Sequence, residues 1–296
     1  MKTLIVTLLL LVGTQATSVA QHTTLRQQLA TIGNVHSGSI GISVRAIEDQ
    51  DTLTVNNSHH YPMQSTFKFP LALYVLHKVD KGQLALDQKI HISKEELYRN
   101  TWSPLREKYP DGNIDITIAE LLDYTVSKSD NNTCDILFKL VKGTYPTNKY
   151  IHKLGVKDID IVATELQMGK GWGVQYTNWT TPSAMTDLLY QLYTGKCLSP
   201  GSTQFLMKLM TESANSDKRI KGLLPAGTIV AHKTGTSNTS TGGITAAVND
   251  LGIITLPNGK HLAIAVYVSD TKEKSTEAEH VIAEIAKAVY DEYAGK

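Results

Sequence analysis

Ser65 and Lys68 stand three residues apart in "YPMQSTFKFPLALYVLHK", at the head of an apolar, helix-like run. Residues i and i+3 of a helix share a face one turn apart, so this hydroxyl and this amine could touch. A hydroxyl becomes a useful nucleophile when a nearby base takes its proton, and an amine serves as that base when partial desolvation lowers its pKa. Lys68 is flanked by Phe67 and Phe69, which supply such a setting. Ser65 falls at an expected helix N-terminus, where free N–H groups favour negative charge and its own amide could hold an oxyanion. Pro70, which lacks an N–H, is best tolerated near a first turn and supports that boundary. The pair alone also reads as an ordinary helix start. The same spacing recurs at Ser269 and Lys272 in "SDTK", near a strand end, with no such setting.

Two further groups could complete a reactive centre. Ser129-Asp130-Asn131 in "SKSDNNTCDIL" precedes a helical run, so Asp130 or Asn131 also reads as a helix cap. Lys233-Thr234-Gly235 in "VAHKTGTSN" ends a β-branched strand, where glycine lets another backbone approach closely. Each group is common alone. Their order along one chain is not.

The elements that must position them alternate in kind. "TLRQQLATIG" has a helical apolar pattern, and "GSIGISVRAI" and "DTLTVNN" read as paired strands about the turn "EDQD". The middle is mostly helical: "TIAELLDYTV", "CDILFKLVKG", "TPSAMTDLLYQLYTG" and "STQFLMKLMTES" each carry an apolar stripe with a cap or a stop. Strands return in "GTIVAHKTGT", "TAAVNDLGIITL" and "HLAIAVYVSD", the last two flanking a hairpin signal at Asn258-Gly259. "STEAEHVIAEIAKAVYDEYA" is a final helix. The expected fold is therefore α+β. Both terminal helices pack on one face of an antiparallel sheet made from both chain ends, and an all-helical lobe spans roughly 65–210. A cleft between lobes is the natural place for a ligand.

Bulk properties narrow the function. "MKTLIVTLLLLVGTQATSVAQ" combines Lys2, an apolar run from Leu4 to Val12, and the small-x-small site Ser18-Val19-Ala20. It reads as a secretory signal peptide over residues 1–20, cleaved near Ala20-Gln21, because the run is too short to span a bilayer. Residues 21–296 would then form the catalytic domain, periplasmic or secreted. No cysteine follows the apolar run, so no membrane anchor is expected. With 29 basic and 28 acidic residues, and one basic residue lost with the leader, the remainder is neutral. That gives no electrostatic reason to expect nucleic acid or an anionic membrane as partner. Ten histidines show no H-x-H or H-E-x-x-H spacing, so no metal site and no cofactor is expected; His59-His60 reads as a surface turn. Cys134 reads as a buried free thiol and Cys197 as a loop thiol.

The three groups together resemble the S-x-x-K, S-D-N and K-T-G elements of the class A serine β-lactamases. The resemblance runs over essentially the whole mature chain and includes the glutamate expected between the second and third elements, Glu165 in "VATELQMGKGWGVQYTNWTTP". "PMQS", "TWSP", "VQYTNW" and "IKGLLPAGTIVAHKTGTS" point further, to the PER-type extended-spectrum branch. The resemblance implies that Ser65 attacks the lactam carbonyl of a small-molecule β-lactam and that Lys68 takes or relays its proton. It implies that Glu165 activates the water that releases the acyl group, and that Ser129 protonates the leaving nitrogen. The amides of Ser65 and Thr236 would form the oxyanion hole. Asn131 would bond the substrate's side-chain amide. Lys233 and Thr234, in a strand continued by Gly235 and Thr236, would hold its carboxylate, with Arg219 as a second partner. Trp102 would wall the entrance. A monomer is the default.

The chain departs from the family at the glutamate-bearing loop. The asparagine usual four residues after the glutamate is Gly169, the arginine usual two before it is Ala163, and the aspartate at the loop's far end is Asn178. The hydrolytic water would then be held by other groups, Gln167 or backbone. The loosened loop and the small residues Thr236-Ser237 lead to an expectation that bulky oxyimino-cephalosporins are accepted. The rivals are a D,D-peptidase or penicillin-binding protein and a β-lactam sensor domain. The first acylates but releases the acyl group poorly, and Glu165 discriminates against it; the second becomes acylated and signals, which normally requires membrane spans joined to a cytoplasmic output region.

Overall fold

The computed structural model describes residues 24–34, 36–214 and 217–295. The expected signal peptide, residues 1–20, lies outside the described residues. Helix α1 covers residues 24–34. It leads into β1 (Ser39–Ala46) and β2 (Asp51–Val55), paired antiparallel across the turn 47–50. The chain leaves this sheet through β3 (Tyr61–Pro62), a 3-10 turn (Gln64–Phe67) and α2 (Lys68–Asp80). There follow β4 (Lys89–Ile92), α3 (Pro104–Lys108), β5 (Ile114–Thr117), α4 (Ile118–Val126), α5 (Asn131–Leu140) and α6 (Thr144–Lys153). Next come β6 (Ile159–Asp160), the single turn α7 (Glu165–Met168), a 3-10 segment (Trp172–Thr177), β7 (Trp179–Thr180), α8 (Pro182–Tyr193) and α9 (Pro200–Thr211). The chain returns to the sheet as β8 (Val230–Thr236), β9 (Thr245–Thr255) and β10 (His261–Thr271), and closes with α10 (Ser275–Ala294).

The main sheet has the order β2-β1-β10-β9-β8, antiparallel throughout, so β1 from one chain end lies beside β10 from the other. Strand β10 is buried on both faces, and its side chains divide by the two-residue period. Leu262, Ile264, Val266 and Val268 join Leu25 and Leu29 of α1 and Val281, Ile282 and Ile285 of α10 in one core. Ala263, Ala265 and Tyr267 face the larger core of the helical lobe. Each large aliphatic chain so buried contributes about 1.5–3 kcal/mol. Both terminal helices thus serve one face, as the apolar patterns require. The hairpin at Asn258-Gly259 closes as a three-residue loop, with Leu256 N–H donating to the Lys260 carbonyl at 2.8 Å and Gly259 at φ 81°. That is a type I turn followed by a left-handed glycine, not the two-residue turn.

The helical lobe is not purely helical. It carries a two-stranded sheet, β4-β5, and a three-stranded one, β3-β7-β6. Strands of two residues leave no period to read in a sequence. Cys134 is a buried free thiol in α5 and Cys197 a free thiol in the loop between α8 and α9, as expected, and the loop thiol is buried too.

Candidate active site

Ser65 sits in the 3-10 turn, and Lys68 is the first residue of α2 rather than a member of the same α-helical turn. Side chains three apart nearly eclipse in a 3-10 segment. The result is a Lys68 Nζ to Ser65 Oγ distance of 2.9 Å. Gln64 enters the turn at φ 47°, a left-handed conformation costly for a side chain with a Cβ. Its Nε2 donates to Gln175 Oε1 at 2.6 Å, which ties the turn to the 3-10 segment that follows α7.

Lys68 is fully buried and its nitrogen is ringed by oxygens. Besides Ser65 Oγ it reaches Ser129 O at 2.8 Å, Ser129 Oγ at 3.5 Å, Asn131 Oδ1 at 2.5 Å and Glu165 Oε1 at 2.9 Å. An ammonium has three hydrogens, so five oxygens must share them. Such a group can give a proton to, or take one from, several partners with little motion. Ser65 Oγ also donates to Glu165 Oε1 at 3.5 Å, a spacing that small shifts would tighten.

Asp130 is the N-cap of α5, accepting from Thr133 N–H at 2.9 Å. Its other oxygen takes Ser103 Oγ at 2.8 Å and Leu105 N–H at 2.7 Å, so the middle residue of the triplet is structural. Its neighbours are thereby aimed at Lys68. Ser129 is held at φ 56°, a second strained position at the site. Asn131 gives Oδ1 to Lys68 and one Nδ2 hydrogen to Thr101 Oγ1 at 2.7 Å.

Lys233 enters from β8, fully buried, with Nζ 2.9 Å from Ser129 Oγ and 2.9 Å from the Thr234 carbonyl. Burial, and next the charge of Lys68, hold its amine well below the usual lysine range. Ser129 therefore lies between two lysines. At Gly235 a Cβ would stand 2.6 Å from the Met63 carbonyl, so only glycine lets β8 approach the turn that carries Ser65. Thr236 is exposed at the end of the strand. Arg219 is buried, and its NH1 donates to the Gly235 carbonyl at 3.1 Å and the Asn249 carbonyl at 2.8 Å. Its NH2 meets Thr236 Oγ1 at 2.6 Å and its Nε meets Glu279 at 3.2 Å. Only one of its five N–H groups is left for a ligand.

The loop bearing Glu165 is pinned without the family's ion pair. Asn178, fully buried, accepts from Val162 N–H at 2.7 Å and Ala163 N–H at 2.8 Å, and donates to the Ala163 carbonyl at 2.8 Å. Asp135 of α5 accepts from Glu165 N–H at 2.8 Å and Leu166 N–H at 2.9 Å, so it caps α7 from outside. Burial raises its carboxyl to about 6, against the lowering effect of those two amides. Gln167 turns back to accept from Thr164 N–H at 2.8 Å, a capping box that commits its carbonyl oxygen away from a hydrolytic water. A Cβ on Gly169 would make only ordinary contacts, 3.6 Å to the Leu166 carbonyl at nearest. Here glycine leaves room rather than relieving strain. Trp102, 56% exposed, donates Nε1 to the Lys128 carbonyl at 3.0 Å and walls the cleft instead of filling a core. That cleft, of about 450 Å³, opens over Ser65, Asn131, Glu165, Gly169 and Thr236.

Asp135, Asn178 and Asn249 are the residues that sequence reasoning missed. In the sequence Asp135 is only one position of the helical run "CDILFKLVKG", and Asn178 only the loss of the aspartate expected at the loop's far end. Among the described residues, no group of three or more His, Cys, Asp or Glu side chains could hold a metal ion, and no helix is long and apolar enough to cross a membrane.

Comparison with known proteins gives a consistent picture. A model of the β-lactamase enzyme family matches residues 24–293. The chain is 44% identical over 297 aligned positions to β-lactamase VEB-1 of Pseudomonas aeruginosa, covering 100% of this chain and 99% of the relative. It is 40% identical to the extended-spectrum β-lactamase PER-1 of Pseudomonas aeruginosa, covering 96% and 92%. The crystal structure of the TLA-1 extended-spectrum β-lactamase superimposes with a TM-score of 0.91 at 55% identity, over 92% of this chain and 99% of that one.

Proposed function

This chain belongs to the β-lactamase enzyme family, in its class A, PER/VEB-type branch, and hydrolyses the β-lactam ring; from that premise we propose how its residues divide the reaction. Ser65 attacks the lactam carbonyl, and Lys68 receives or relays the proton. The oxyanion that forms is held by the amides of Ser65 and Thr236. Ser129, between Lys68 and Lys233, carries the proton to the departing nitrogen. Lys233 and Thr234 attract the substrate carboxylate, and Arg219 contributes through the Thr236 hydroxyl that it holds. Asn131 meets the side-chain amide with its remaining Nδ2 hydrogen, and Trp102 lines the approach. Glu165 then activates water against the acyl ester. The observation that carries this reading is the position of Lys68 Nζ, 2.9 Å from both the Ser65 hydroxyl and the Glu165 carboxylate.

The proposal extends to substrate range and location. PER-1 is named an extended-spectrum enzyme, and here the bare Gly169 beside Glu165 supports acceptance of bulky oxyimino-cephalosporins. Residues 1–20 serve as a signal peptide that sends residues 21–296, one catalytic domain, to the periplasm or medium.

Excess chromogenic cephalosporin tests the reaction. Many colour changes per protein are expected, whereas one stoichiometric burst would mark a peptidase or sensor. Run in parallel, cefotaxime and ceftazidime should turn over measurably beside benzylpenicillin. Negligible turnover of both would remove the oxyimino assignment.

A further inference from the structure

The two amides assigned to the oxyanion hole belong to different elements, the 3-10 turn of Ser65 and the end of β8, so something must set the gap between them. Asn249 of β9 is bonded toward both. It is fully buried and stands opposite Gly235 in the β8–β9 register. Its Nδ2 donates to the Pro62 carbonyl at 2.9 Å and the Met63 carbonyl at 3.2 Å, the residues that lead into the Ser65 turn. The Met63 carbonyl also accepts from Thr66 N–H at 3.2 Å and Thr66 Oγ1 at 2.7 Å, so holding Met63 holds the turn. At its other end, the Asn249 carbonyl takes Arg219 NH1 at 2.8 Å, and the same nitrogen holds the Gly235 carbonyl at 3.1 Å. Among the described residues Asn249 Oδ1, though buried, finds no donor. The amide is placed for its N–H groups and leaves its acceptor idle.

From this, and resting on the proposed assignment of the oxyanion hole, we infer that Asn249 is a positioning residue that sets the spacing between the Ser65 and Thr236 amides. Its side chain references the nucleophile turn to β9, and its main chain, through Arg219, references β8 to the same residue. Without those N–H groups the turn is free to move relative to β8, and an oxyanion donor displaced by a fraction of an ångström loses much of its effect.

The test uses an acyl-enzyme held in a Glu165→Gln background. The infrared stretch of the ester carbonyl falls in frequency as the donors around its oxygen strengthen. Asn249→Leu has a similar shape but no polar hydrogen to donate, and Asn249→Ala removes the group altogether. Ile285→Val, buried on the far face of the sheet, lowers stability without touching the site. Both Asn249 variants should raise the carbonyl frequency and slow acylation about 10- to 100-fold in stopped flow, while Ile285→Val moves neither. A folded Asn249 variant with the parental frequency and acylation rate overturns the inference, as does an equal change in Ile285→Val. If Asn249→Ala does not fold, Asn249→Leu alone is read. A Glu165→Gln protein that forms no ester on Ser65 would instead sink the proposed function, before any Asn249 variant is examined.

Discussion

In the proposed reaction, four side chains with little chemistry of their own are made reactive by their neighbours. Ser65 needs a base, and Lys68 is bonded to it. Lys68 needs a proton outlet, and Glu165 and Ser129 are both in reach. Lys233 needs an anion, since burial and the charge of Lys68 disfavour its ammonium. An arriving carboxylate supplies the missing partner, so substrate binding and recharging of Lys233 favour each other. On the proposed division of roles Glu165 differs from the rest: Lys68 would serve acylation without it, whereas release of the ester would find no other carboxyl oxygen within hydrogen-bond distance of Ser65 Oγ among the described residues. A general base contributes about 10²- to 10⁴-fold. Glu165→Gln, which keeps the shape and loses the basicity, should therefore acylate yet turn over more slowly by about that factor. Intact-mass spectrometry after mixing with a β-lactam should show the protein plus one substrate persisting for minutes. Prompt return to the unmodified mass would move the base to another residue.

At the scale of elements, the single turn α7 is too short to be stable alone and takes its place from what caps it. Asp135 does so with both carboxylate oxygens, at an electrostatic cost that depends on pH. Its folded pKa of about 6 exceeds the ordinary aspartate value of 3.8, so between those values the folded state binds the extra proton. Stability from this group is thus present at low pH and lost as pH rises through 6, by up to about 3 kcal/mol. An asparagine in its place would not titrate in that window. The melting temperature of Asp135→Asn minus that of the parent should become more positive by a few degrees between about pH 5 and pH 7.5. A difference constant across that range would show that Asp135 does not carry the buried charge. The same element marks the limit of what the sequence discloses. The long strands, the paired terminal helices and the order of the three triplets were legible, because their period and turn residues act locally. The four-residue α7, the two-residue strands and the roles of Asp135, Asn178 and Asn249 were not. Each depends on a partner distant in sequence, and an asparagine in a strand gives no hint that its amide will meet Pro62 across the sheet.

Across the whole molecule, the site unites groups from near residues 65, 130, 165, 219 and 235, none held to another by a covalent link among the described residues. Strained backbone at Gln64 and Ser129 and the burial of the Lys68 and Lys233 amines all work against folding, by about 1–3 kcal/mol for each strained residue. What offsets them is core on both faces of the sheet, ample in a chain of 296 residues. The two cysteines bear on this directly. If they formed a disulfide, it would contribute about 2–4 kcal/mol, and reduction would lower the melting temperature by several degrees. The structure instead keeps Cys134 and Cys197 free and buried, and burial pushes both thiols up, Cys197 to about 12 and Cys134 further from ionisation than an exposed thiol. A thiol that stays protonated and covered reacts slowly. Ellman's reagent should therefore find almost no thiol in the native protein and both in denaturant, and dithiothreitol should leave the melting temperature within about 1 °C. A drop of several degrees on reduction, or fewer than two thiols in denaturant, would mean that a covalent staple shares the task assigned here to the core.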